Sequence, residues 1–215
     1  LQQLDEALLI HSIKVLSHFD QANTRVDKEN LMNLILTSAA ISAIFGVILE
    51  MATHDKPLRL LQYFTIQSNL IAGLAALLYL MAPSSFALQL IKASILWMLV
   101  TGIIFHSMIS KFYKPSGLKW ISNQLTHTLA PLLFFFALFF MESKGQSPML
   151  WIAYPLVYSL FWLIYGHFFD YYPYWFLRPN LPYPDGMGSY VRVMGFIAAM
   201  TLGFLFLGFL LSLLN

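Results

Sequence analysis

Gln62–Ala82 reads QYFTIQSNLIAGLAALLYLMA, a run with no charged side chain that opens on Tyr63-Phe64-Thr65 and carries Asn69 further in. About 20 mostly apolar residues let a helix cross the hydrocarbon core of a bilayer, and this run has that length. Five others share its character: Leu31–Ala52, Phe86–Ser110, Leu118–Met141, Met149–Phe169 and Gly188–Leu214. The pattern predicts an all-α polytopic membrane protein, with six transmembrane helices forming one bundle over residues 31–215. The connections carry turn and solvation signals such as His54-Asp55-Lys56-Pro57, Pro83-Ser84-Ser85, Lys114-Pro115-Ser116-Gly117 and the polar stretch from Ser143 to Pro148.

Composition excludes several classes. The chain is 59% hydrophobic and 10% charged, with a mean hydropathy of +0.68. A soluble domain carries roughly 25% charged residues, so an integral membrane protein is expected, in the cytoplasmic membrane if the source is bacterial. A net charge of +2 argues against a nucleic-acid partner. With no cysteine, disulfides, thiolate metal sites and cysteine nucleophiles are excluded. The first apolar run begins at Leu31 and is too long for a signal-peptide core, so no cleavable signal is expected.

Residues 1–30 are polar with intermittent apolar positions. Leu1, Leu4, Leu8, Val15 and Phe19 fall on one helical face, which predicts an interfacial amphipathic helix lying on the membrane. Lys14, Arg25, Lys28, Lys92 and Lys144 belong to the side of the N-terminus; Lys56, Arg59, Lys111, Lys114, Lys119, Arg178 and Arg192 belong to the other. The positive-inside rule leans toward the second side being cytoplasmic. The fifth connection, from Asp170 to Gly186, is dense in Tyr, Trp, Phe and Pro. It reads either as an aromatic belt at the interface or as a lid over a pocket.

Polar side chains at membrane depth are costly and mark functional sites. With six spans, the second and fourth start from the face where the third and fifth end. Thr65 is then roughly 5 Å deep and His127 roughly 14 Å, at 1.5 Å per residue. His54, His106, His167 and Asp170 approach the same face. Gln62, Thr65, Asn69, Gly73 and Ala76 share one helical stripe, and Asn123, His127 and Pro131 share another. Pro131 has no N–H to give the His127 carbonyl, so a kink is expected there. Each residue also has a plainer role. Thr65 could bond its own i−4 carbonyl, and Asn69 could join two helices. Tyr154, Tyr158 and Tyr165 could be packing residues, and Gly195, Ala199 and Gly203 a stripe for helix packing.

Several of these segments resemble the bacterial branch of the androgen-induced-gene family of six-helix membrane proteins. They are Tyr63-Phe64-Thr65 with Gln67-Ser68-Asn69, Leu125-Thr126-His127-Thr128-Leu129-Ala130-Pro131, Tyr154-Pro155-Leu156-Val157-Tyr158, and Tyr172-Pro173-Tyr174-Trp175-Phe176 leading to Gly188. They cover spans two to six in order. Animal members are intramembrane hydrolases of fatty acid esters of hydroxy fatty acids, acting through a Thr and a His. The resemblance implies Thr65 as nucleophile and His127 as general base in an intramembrane hydrolase of long-chain acyl esters. Asn69 is then the expected oxyanion donor, and Asn123 or Asp170 the partner orienting His127. Gln62, His106, Tyr158 and His167 are the expected pocket residues. Membrane lipids and a lipid-like ester are the expected partners, with no cofactor and no metal. Two rivals stay open: a non-enzymatic lipid-binding or transport protein, and a metal or haem protein built on His54, His106, His127 and His167. Against the latter, no short-spaced His pair occurs.

Overall fold

The structure, a computed structural model, describes residues 2–141 and 148–213, with side chains described over 24–141 and 151–213. It is helical throughout, with no strand among the described residues. Helix α1 spans Gln2–Ala52, α2 Phe64–Met81, α3 Ser85–Ile104, α4 Leu118–Gln124, α5 Ala130–Leu138, α6 Pro148–Phe169 and α7 Tyr190–Leu213. Among the described residues, five helices are long and apolar enough to cross a membrane: Thr24–Ala52, Phe64–Met81, Ser85–Ile109, Trp151–Phe169 and Tyr190–Leu213. The helical run over 118–138 is not among them. Its first half carries Ser122, Asn123, Gln124, Thr126, His127 and Thr128.

The expected break between an N-terminal surface helix and the first span is not seen, because α1 runs unbroken from Gln2 to Ala52. The apolar positions Leu1, Leu4, Leu8, Val15 and Phe19 lie outside the described side chains, as does the polar connection from Ser143 to Gln146.

Small residues set the packing. Ala39, Ala40 and Ala43 of α1 and Ala72, Ala75 and Ala76 of α2 are all buried, letting the two backbones approach closely. Ile91, Ile95, Leu96 and Met98 of α3 and Phe134 and Leu138 of α5 fill the rest of that core. A second cluster joins Tyr158 and Leu163 of α6, Val193 and Ile197 of α7, and Tyr172, Phe176 and Leu177 of the fifth connection. Large apolar side chains point outward from the helices, among them Leu74, Phe136, Val157, Phe161, Leu202 and Phe206.

Among the described residues, two helices carry a π-helical turn. One follows α3 at Phe105–Ile109, and the other joins α4 to α5 at Leu125–Leu129. Such turns recur at functional sites, because one extra residue per turn re-aims the side chains. The second turn leads straight into Pro131, where a kink was expected. The carbonyl of His127, which proline cannot serve, faces Gly102 of α3. A Cβ at Gly102 would come within 2.9 Å of that oxygen, so only glycine permits this approach. On the other side Gly46 of α1 meets the same turn, where a Cβ would lie 2.7 Å from Thr126 Cγ2.

Candidate functional site

Thr65 is the second residue of α2. The preceding chain forms a 3₁₀ turn over Pro57–Gln62, then an extended Tyr63 that caps the helix without any side-chain hydrogen bond. The Tyr63 carbonyl accepts from the Gln67 N–H, so the N–H groups of Phe64, Thr65 and Ile66 have no acceptor within the helix. A hydroxyl in this position stands beside backbone donors already pointing outward, where the helix dipole favours negative charge.

His127 comes from the π turn between α4 and α5. Its Nδ1 lies 3.3 Å from the Asn123 carbonyl and 3.1 Å from Thr126 Oγ1. The Thr126 hydroxyl donates its own proton to the Ser122 carbonyl at 3.0 Å. Both neighbours therefore accept, Nδ1 carries the proton, and Nε2 keeps a free lone pair. The imidazole packs against the Phe105 ring, centroid to centroid 4.1 Å.

Thr65 and His127 line one cavity of about 440 Å³, whose rim includes Glu50, His54, Tyr113 and Lys119. Asn69, fully buried, ties the two helices together: its Nδ2 donates to the Thr65 carbonyl at 2.9 Å and to the Thr126 carbonyl at 3.2 Å. At the rim, Ser122 donates to Glu50 Oε2 at 2.7 Å. Burial, and then the Glu50 carboxylate, push the Tyr113 hydroxyl above its ordinary range.

Tyr174, in the fifth connection, enters the sequence reading only within the Tyr172–Phe176 segment, with no role at the site. Its hydroxyl faces the Thr65 hydroxyl and the N–H groups of Thr65 and Phe64, polar neighbours that favour its ionised form. Loss of solvent outweighs their pull and pushes its pKa up to about 12, so it stays neutral near pH 7. Its ring is held edge-on to Tyr63 at 5.6 Å and stacked on Phe176 at 4.8 Å. Thr65 and Tyr174 also border a second, apolar pocket of about 70 Å³, walled by Val100, Ile104, Phe196, Met200 and Phe204. The hydroxyl of Thr65 thus stands between a polar cavity and an apolar one.

The other expected residues divide. Asn123 is buried and lines the polar cavity, and its backbone carbonyl holds His127 Nδ1 while its side-chain Oδ1 has no protein partner. Asn69 borders neither cavity described above, and both hydrogens of its amide are engaged by carbonyls. Tyr158 borders the apolar pocket, and its hydroxyl donates to the Gln62 carbonyl at 2.7 Å. Gln62 donates through Nε2 to the Tyr171 hydroxyl. His106 is exposed and bonds Thr128 at 3.0 Å, whereas its neighbour Phe105 takes the inward, buried position on that turn. His167 is exposed too, 2.7 Å from the Tyr190 hydroxyl, and Asp170 receives a bond from Asn180 at 3.3 Å. Of the four histidines expected at this face, the cavity gathers His54 and His127. No group of three or more potential metal ligands converges among the described residues.

No protein-family model, no curated protein and no solved structure matches this chain.

Proposed function

We propose that the chain is an integral membrane protein of six spans, with the run over 118–138 as the fourth crossing, and that it hydrolyses long-chain acyl esters within the membrane. Leu129, Leu132, Phe136 and Phe139 face outward on that fourth run, which suits contact with lipid. The carrying observation is the shared cavity: the Thr65 hydroxyl and the His127 imidazole, its Nε2 unencumbered, border the same 440 Å³ space.

Thr65 Oγ1 attacks the ester carbonyl carbon while His127 Nε2 takes the hydroxyl proton. The carbonyl oxygen becomes an oxyanion, received by the N–H groups that open α2 as it displaces the Tyr174 hydroxyl from them. Collapse of the tetrahedral species breaks the ester C–O bond, and the His127 proton leaves with the alcohol. Water then attacks the acyl-threonine, His127 takes one proton from it, and that proton returns to Thr65 as the carboxylic acid departs. The apolar pocket beside Thr65 suits an acyl chain, and the polar cavity suits water and the leaving alcohol. Backbone donors take the oxyanion role in place of Asn69, whose amide is already bonded.

Replacing Thr65 or His127 with Ala should lower turnover of a long-chain p-nitrophenyl ester by about 10⁴-fold or more, with an unchanged melting temperature in detergent. Wild-type turnover in Thr65→Ala would overturn the reading. One observation favours a binding protein instead: the Tyr174 hydroxyl stands against that of Thr65. Ester-free lipid retained equally by wild type and Thr65→Ala, without any turnover, would favour that rival.

A further inference from the structure

Beside the Thr65–His127 cavity, beneath the fifth connection, lies another of about 360 Å³ with different chemistry. Phe112, Tyr172 and Trp175 wall it, and Arg178 and Asp185 bring one positive and one negative charge to it. The Arg178 guanidinium carbon lies 5.9 Å from the centre of the Tyr172 ring. A cation–π contact of this length holds the guanidinium over the ring and leaves its N–H groups for an acceptor. The backbone beneath is pinned: the Met187 N–H donates to the Arg178 carbonyl at 2.7 Å and the Gly188 N–H to the Leu181 carbonyl at 2.8 Å. Trp175 is set edge-on to Tyr183 at 5.5 Å. Phe112 and Asp185 are exposed, so the cavity opens to the outside at the level of the loops.

A planar guanidinium fork matches phosphate oxygens. Aromatic faces attract an alkylammonium through their quadrupoles, and a carboxylate beside them completes a cation site. A ligand satisfying both ends carries a phosphodiester and an ammonium a few ångströms apart. We propose that this cavity binds the headgroup of a zwitterionic phospholipid, with its phosphate on Arg178 and its ammonium between Trp175, Phe112 and Asp185. Ile109 borders this cavity, the Thr65–His127 cavity and the apolar pocket alike. A lipid held here presents its glycerol esters toward Thr65; that consequence rests on the esterase reading, whereas headgroup binding does not.

The test is native mass spectrometry of the full chain in detergent, given equal amounts of dioleoyl phosphatidylcholine, phosphatidylglycerol and diacylglycerol. The expected result is phosphatidylcholine retained about tenfold over phosphatidylglycerol, a difference of about 1.4 kcal/mol, with diacylglycerol lowest. Arg178→Gln should bring both phospholipids down to the diacylglycerol level. Asp185→Asn, a change on an exposed turn, should equalise the two phospholipids. Phosphocholine should displace the lipid at least tenfold better than inorganic phosphate. Retention should persist in Thr65→Ala, which separates this proposal from the hydrolase. Equal retention of all three lipids, indifference to both substitutions, or displacement by phosphate as effective as by phosphocholine would each overturn it.

Discussion

Asn69 shows how one buried side chain sets the geometry of this site. Its amide spans the carbonyls of Thr65 and Thr126, holding the start of α2 against the turn that carries His127. An amide so placed contributes stability rather than chemistry. Asn69→Leu should cost about 1–3 kcal/mol through the unpaired carbonyl it leaves, read as a lowered melting temperature in detergent, while kcat falls less than about tenfold. A loss of about 10²–10³ in kcat without loss of stability would instead mark an oxyanion donor. The sequence made Asn69 visible as a polar residue in an apolar run, but not its role. Which way an amide points depends on the neighbouring helix, and no periodicity in α2 carries that information.

At the scale of elements, the fifth connection matters most. Tyr174 reaches the opening of α2, and Tyr172 packs into the core beneath α6 and α7. Burial pushes both hydroxyls up to about 12, from about 10 in an unfolded chain. Between those values the unfolded state releases protons that the folded state keeps, so stability present below pH 10 is lost as pH rises toward 12. Thermal melts from pH 8 to 11.5 should show this decline, and Tyr174→Phe should make it shallower. A slope identical to wild type would mean that the hydroxyl is solvated. The aromatic density of this segment suggested either a belt or a lid. Packing onto Thr65 decides for a segment that reaches the site, and only the fold brings Tyr174 to a residue more than a hundred positions earlier. The two π turns were equally hidden, since Pro131 announced a kink without revealing the extra residue before it.

For the molecule as a whole, composition and run length foretold an all-helical chain with membrane-length apolar helices, and five such helices are present among the described residues. The fourth run is harder to read because the same polar residues that build the site dilute its hydropathy. Its crossing can be tested directly, since the chain has no cysteine. In six spans, a single cysteine at Ser116 and another at Asn180 should react with an impermeant maleimide from the same side of sealed vesicles, and one at Ser84 from the opposite side. Opposite labelling of Ser116 and Asn180 would mean that residues 118–138 do not cross.

The idea with most at stake is that Thr65 forms a covalent ester with the acyl group. Rapid acid quench of the enzyme during turnover of a long-chain p-nitrophenyl ester, followed by peptide mass mapping, measures this directly. The expected result is the acyl mass on the peptide bearing Thr65, absent in Thr65→Ala. Sustained turnover with Thr65 unmodified, or the acyl mass on another residue, would contradict it.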